Sequence, residues 1–177
     1  MQGMDRSLKN IVFWESIISP HLAYFINEVQ SLLPQVRIYY IVEQALSEER
    51  KLLKWEIPIL HPSIELVKVT DNMVINSFID LEDCVHILEG IKATKIGFAT
   101  LNKLISAKNP NIYVMSEVPD LRGKRKLIRK LYGFIVEYKY KNFIRGVFTI
   151  GYATKDWYRS FGYLDEKLHD FYYTVKK

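Results

Sequence analysis

Three short stretches hold side chains that could do chemistry. Ser116-Glu117 closes the apolar run Asn111-Ile112-Tyr113-Val114-Met115 and stands just before the breaker Pro119-Asp120. A carboxylate there could orient an acceptor hydroxyl or take its proton; the competing use is as cap and first-turn acid of a following helix. Ser19-Pro20-His21 follows the apolar run Ile11-Val12-Phe13-Trp14. Its backbone and His21 could contact a substrate at a helix start, where partial positive charge favours anions. The plainer alternative is an ordinary helix cap with an exposed histidine. Glu89-Gly90 closes Cys84-Val85-His86-Ile87-Leu88, and either lines the same cleft or simply turns the chain.

A fourth feature is electrostatic. Residues 121–145 hold nine Lys and Arg against one acid, Glu137, while the whole chain carries +5. The rest is therefore net acidic, and the basicity is local, as expected of one face that meets something anionic. Arg122, Lys124, Arg125, Lys126, Arg129 and Lys130 alternate with Leu127, Leu131, Tyr132 and Phe134. A solvated helix face is the default reading. A peripheral membrane surface comes next, since basic and apolar side chains together suit anionic headgroups. Nucleic acid ranks last, because no nucleic-acid-binding module is recognisable.

These residues need elements to hold them. Short β-branched and aromatic runs closed by polar residues read as strands covered on both faces. Such runs occur at 11–14, 36–42, 84–88, 111–115 and 146–151, with a more alternating one at 64–69. Helical stretches fall at 21–33, 46–54, 94–108, after Pro119, and at 153–161, where Gly162 supplies a left-handed stop; residues 72–80 are ambiguous. Ser19 could cap the first helix, with Pro20 at its favoured start. On a helical wheel Leu127, Leu131, Phe134, Ile135 and Tyr138 share one face, the expected core side of the basic helix. Strands alternating with helices predict an α/β fold: Rossmann-like, doubly wound, mostly parallel, with helices on both faces. In such sheets ligands bind beyond the carboxyl ends of the strands, where Ser116 and Glu117 would stand.

Other classes are disfavoured. Neither G-x-G-x-x-G nor G-x-x-x-x-G-K-[ST] occurs, which weighs against a dinucleotide-dependent dehydrogenase and a P-loop NTPase. The four histidines are far apart and no ligand spacing appears, so no metal is expected. The single cysteine, Cys84, lies in an apolar run and reads as a buried thiol in a reducing compartment. No uncharged apolar run approaches the ~18 residues that span a bilayer, and no secretory signal is visible. The expected location is cytoplasmic, with peripheral attachment to the inner face of the plasma membrane as an extension of that reading.

The landmarks also recur as an ordered set. Ser19-Pro20-His21 leads into an apolar helix with Phe25, and a strand ends near Glu89-Gly90. Ser116-Glu117 then precedes Arg122 and the basic helix. Ile150-Gly151, Ala153, Trp157-Tyr158, Gly162 and Glu166-Lys167 follow. This order resembles the N-terminal domain of retaining family-4 (group 1) glycosyltransferases of the GT-B fold. The resemblance spans nearly the whole chain. It implies one half of a GT-B fold: residues 10–170 as the acceptor-side domain after an N-terminal extension at 1–9. Residues 171–177, beginning Phe171-Tyr172-Tyr173-Thr174-Val175, would lead into a donor-binding C-terminal domain that this chain lacks. The resemblance further implies transfer of a sugar from a nucleotide-sugar, a substrate of the complete enzyme, to a glycan or lipid-linked acceptor. No bound cofactor is expected. By position it assigns catalytic roles to Glu117 and His21. Substrate contacts go to Ser19, Pro20, Glu89, Gly90, Ser116, Arg122 and Gly151, and Arg125, Lys126, Arg129 and Lys130 would face a membrane. Two positions depart from the family pattern: Glu15-Ser16-Ile17-Ile18 replaces a glycine-rich loop, and Ser116-Glu117 stands where some members carry a histidine. The alternative reading is a non-catalytic Rossmann-like module that docks on a membrane or a partner.

Overall fold

A computed structural model describes residues 8–69, 71–118 and 126–172. Seven parallel strands form one sheet in the order β3-β2-β1-β4-β5-β6-β7. They are β1 (Asn10–Ile17), β2 (Arg37–Gln44), β3 (Ile64–Lys68), β4 (Cys84–Glu89), β5 (Ile112–Glu117), β6 (Gly146–Ile150) and β7 (Leu168–Phe171). Six α-helices lie between them among the described residues: α1 (Pro20–Leu32), α2 (Glu48–Leu52), α3 (Asn72–Ile79), α4 (Lys95–Ser106), α5 (Lys126–Tyr140) and α6 (Tyr152–Arg159). The order runs outward from β1 to β3, then restarts at β4 and runs the other way. With right-handed crossovers that reversal gives the Rossmann-like, doubly wound α/β arrangement. The chain divides into two compact units, the first ending at Ile87 and the second spanning Leu88–Tyr172.

In the first unit, β1 and β2 pair in register from Asn10↔Arg37 to Ile17↔Gln44. Val12 and Phe13 in β1, and Tyr40 and Ile41 in β2, are fully buried at adjacent positions, as strands covered on both faces require. β1 runs three residues further than the apolar run suggests. Glu15, Ser16 and Ile17 are strand, not loop, because their backbones continue the ladder to β2. Pro20 does open α1, but the Ser19 side chain makes no cap bond; the Ser19 N–H instead donates to the Tyr40 hydroxyl at 3.0 Å. The ambiguous stretch 72–80 is α3, fixed by Asp71, whose carboxylate accepts from the Met73 and Val74 N–H groups.

In the second unit the sheet runs one strand further than the apolar runs suggest. β6 is not the last strand: Leu168–Phe171 adds β7 beside it, paired from Val147↔Leu168 to Ile150↔Phe171. Phe171 thus belongs to the sheet and not to a departing linker. β7 is short and mostly polar, with Leu168 and Phe171 buried and His169 and Asp170 exposed, so its apolar signal is faint. The central strand is β4, with β5 next to it.

The larger correction concerns α5. Its inward residues are Val136, Glu137 and Tyr140, with Gly133 against α6, where an added Cβ would lie 2.7 Å from the Trp157 ring. Leu127, Leu131, Phe134, Ile135 and Tyr138, expected on the core side, are all exposed, as are Ile128 and Tyr132. Apolar residues cover more than one arc of this helix. The wheel cannot tell which arc goes inward; the small residue that permits close helix approach decides it. Among the described residues no helix is long and apolar enough to cross a membrane.

Inside the first unit lies a buried polar pair. The Trp14 Nε1–H donates to His86 Nδ1 at 3.2 Å, so His86 is neutral with its proton on Nε2. Nε2 has no partner among the described residues. Burial lowers the His86 pKa from its usual 6.5 to about 4. A folded pKa below the unfolded one means stability that is complete above pH 6.5 and lost as pH falls towards 4, up to about 3 kcal/mol. The melting temperature of wild type should therefore drop more between pH 6.5 and 4 than that of His86→Leu. Parallel slopes for the two proteins would show that His86 charges freely in the folded chain.

Candidate functional site

The second unit brings five of the residues singled out above to the carboxyl ends of β4, β5 and β6. Glu89 ends β4 and Glu117 ends β5. Across the β5–β6 ladder Ser116 stands opposite Thr149 and Glu117 opposite Ile150, one residue before Gly151. The Gly90 N–H donates to Met115 O at 2.9 Å, which ties the β4 turn to the neighbouring strand. Gly90 has φ +65 and an added Cβ would meet the Ala93 Cβ at 3.2 Å, so conformation and space both call for glycine here. Gly151 has φ +79 and starts α6, yet a Cβ would meet nothing within 4 Å. Its side of the rim is open.

Behind the rim stands a set of buried hydroxyls that the sequence did not reveal. Thr154, fully buried in α6, accepts from the Val118 N–H at 3.0 Å and donates to Ile150 O. One hydroxyl thus ties the chain leaving β5 to the end of β6. Tyr158, one turn further along α6, is buried and interacts with the Ser116 hydroxyl, which itself donates to Glu117 O at 3.2 Å. Burial first, then the nearby Glu137 charge, raise the Tyr158 pKa above its usual 10, with the Ser116 bond opposing them. The Tyr163 hydroxyl donates to Glu137 Oε2 at 2.8 Å, and the Tyr158 and Tyr163 rings meet edge to face with centroids 5.0 Å apart. Ser116 is thereby held from behind, half-buried, while Glu117 beside it is exposed. The available signal was the oddity of a single acid in a basic segment: Glu137 sits on the inward face of α5.

The remaining candidates divide. Ser19, Pro20 and His21 follow the carboxyl end of β1 in the first unit, with His21 as the second residue of α1. The Ser19 N–H is already bonded to Tyr40, which removes it as a substrate donor. Arg122 and Arg125 lie outside the described residues, as do the side chains of Lys126 and Arg129; Lys130 is exposed on α5. Neither Ser116 nor Glu117 begins a helix: both are strand residues, and the described part of α5 is Lys126–Tyr140. No group of His, Cys, Asp and Glu suited to a metal ion exists among the described residues. Cys84 is buried and its thiol pKa is pushed up to about 12 by desolvation, which makes it inert as a nucleophile.

Chemically the rim offers two carboxylates, Glu89 and Glu117, and the Ser116 hydroxyl along an open edge. Carboxylates accept two or more hydrogen bonds each and hydroxyls both donate and accept. That set suits a ligand rich in hydroxyl groups. Comparison with protein-family models, curated proteins and solved structures gave no match for this chain.

The buried acid makes a test. Desolvation raises the Glu137 pKa from 4.5 to about 7, with the Tyr163 bond opposing it. A folded pKa above the unfolded one means stability that is complete below pH 4.5 and lost as pH rises through 7, by up to about 3 kcal/mol. Glu137→Gln, which keeps an acceptor for Tyr163, should raise the melting temperature at pH 8 and leave it nearly unchanged at pH 4.5. A variant less stable than wild type at pH 8 would contradict this.

Proposed function

We propose that this chain is the acceptor-side, Rossmann-like domain of a two-domain glycosyltransferase. The enzyme would move a sugar from a nucleotide-sugar to a glycan or lipid-linked acceptor in surface polysaccharide or glycolipid synthesis. One observation carries the reading: Glu89, Gly90, Ser116, Glu117 and Gly151, scattered over 63 positions of sequence, meet along the carboxyl rim of one unit. That rim is where α/β sheets of this kind bind ligands, and its carboxylates and hydroxyl match a sugar's hydroxyl groups. In this reading Glu117 accepts a hydrogen bond from the acceptor hydroxyl that will attack, and helps carry off its proton. Ser116, held by Tyr158, fixes the acceptor's orientation, and a carboxylate at Glu89 binds a further hydroxyl. Gly151 leaves room for the sugar ring. His21, at the start of α1, is the proposed contact for anionic oxygens in the first unit. A companion domain would supply most of the donor and phosphate binding.

Amide-resolved titration with octyl glucoside, octyl galactoside and octyl mannoside tests this directly. At least one glycoside should shift the amides of Gly90, Ser116, Glu117 and Gly151, and Glu117→Gln should weaken that binding about tenfold, the value of a charge-assisted hydrogen bond. Shifts confined to other parts of the chain for all three would refute the assignment. With UDP-glucose or GDP-mannose present, the 177-residue chain alone should transfer no sugar.

A second reading, a module that docks on a membrane, is favoured by α5. Leu127 is 78 % exposed and Ile128 70 %, within a segment of strong positive charge. Burying apolar area stabilises by roughly 25 cal/mol per Å², and each basic residue near an anionic surface adds on the order of 1 kcal/mol. The two readings are compatible, since a lipid-linked acceptor lies at a membrane. Flotation with phosphatidylglycerol-containing vesicles separates docking from a merely solvated face. Leu127→Ser with Leu131→Ser should abolish flotation, and charge reversal at Arg125, Lys126, Arg129 and Lys130 should do likewise. Equal flotation of all three proteins would dismiss the membrane.

A further inference from the structure

A cleft of about 470 Å³ opens in the second unit away from the rim just described, beside the amino ends of β5 and β6. It is lined by Lys108, Arg145 and Lys167, by the amides of Asn109 and Asn142, and by an apolar side that includes Phe143. Three cations and no carboxylate line it. A smaller cavity next to it, of about 260 Å³, shares Asn142 and Lys167 and adds Lys141. None of Lys108, Arg145 and Lys167 forms an ion pair among the described residues. The Lys167 Nζ donates to Ile144 O at 2.7 Å and Lys141 O at 3.2 Å, so a half-buried ammonium is held by carbonyls alone.

The backbone that carries these residues is hydrogen-bonded around the cleft. Lys108 has φ 55, the left-handed conformation that closes a helix and that glycine or asparagine adopts more cheaply. Its N–H donates to Ile105 O and that of Asn109 to Leu104 O, both at 2.9 Å. The Arg145 N–H donates to Ile112 O at 2.8 Å, and its guanidinium donates to the Asn111 side chain. Three like charges held around one concavity repel each other, and an anion entering it relieves that repulsion. Amide donors beside them add directional hydrogen bonds. The volume falls within the range of small-molecule sites.

We propose that this cleft binds a small phosphate-bearing ligand carrying at least two negative charges, with phosphate oxygens on Lys108, Arg145 and Lys167. The phosphate belongs either to a soluble ester or to a lipid headgroup, and the experiment distinguishes them. Inorganic pyrophosphate is titrated into the full chain calorimetrically at low salt, and vesicles of phosphatidylcholine with phosphatidic acid are tested in parallel. The variants are Lys108→Asn, Arg145→Gln and, as a control at the far end of α4, Lys95→Gln. Asparagine suits the left-handed backbone at 108, so a loss of binding there does not reflect a loss of fold; unchanged melting temperatures confirm it for all three.

Saturable pyrophosphate binding, weakened about tenfold by either cleft substitution and less than about twofold by Lys95→Gln, supports the site with a soluble ligand. Binding to the vesicles alone, with the same ranking of variants, supports it with a headgroup. No saturable binding of either probe overturns the proposal. So does equal weakening by the control, which would mean diffuse attraction to a basic surface.

Discussion

The close approach of α5 to α6 governs most of what is distinctive in this protein. Gly133 has no side chain, and the Trp157 ring occupies the space where one would stand. Trp157 in turn meets Phe161 edge to face at 4.7 Å. This contact sets the rotation of α5: it sends Val136, Glu137 and Tyr140 inward and leaves Leu127, Leu131 and Ile135 outside. It also seats α6, whose Thr154 and Tyr158 reach the ends of β5 and β6. A buried acid, an exposed apolar face and a braced serine are thus three results of one packing constraint. Close-packed interiors transmit such constraints because they leave no slack to absorb them.

Much of the fold was legible in the sequence, for a simple physical reason. Strands buried on both faces must be apolar at nearly every position, and runs such as Ile38–Val42 satisfy that condition without help from their neighbours. What stayed hidden depends on tertiary contact. β7 carries two polar residues out of four and gains its strand identity only by pairing with β6. The extra length of β1 comes from pairing with β2 beyond the apolar run. The rotation of α5 was misread because its apolar residues exceed one face; the deciding residue, Gly133, carries no hydrophobic signal. Ser19 looked like a cap, yet a tyrosine 21 positions away claims its N–H.

The site shows the same division. Ser116 and Glu117 could be placed at a strand end from their polarity after an apolar run, and Glu89-Gly90 likewise. Their supporting side chains could not, since Thr154, Tyr158, Glu137 and Tyr163 come from later elements and come together only through packing. The charge pattern was readable in total but not in distribution. Lys108 and Lys167 lie outside the basic segment, yet they share a cleft with Arg145. The second unit therefore has two chemically different ends. A rim bearing Glu89, Glu117 and Ser116 suits a hydroxyl-rich ligand, and a cationic cleft at the amino ends of the strands suits an anionic one. Along α5 lies a face whose chemistry is that of neither, apolar with Lys130 beside it.

The orientation of α5 is the claim on which the rest turns, and thiol labelling measures it most directly. In a Cys84→Ala background, Leu131→Cys and Val136→Cys place one reporter on each side of the helix. The Leu131→Cys thiol should react with a maleimide at nearly the rate of a free thiol, while Val136→Cys should be protected by orders of magnitude, as a buried position requires. The reverse ranking would put the apolar arc in the core. The account of Glu137, Tyr158 and the exposed face would then fail together.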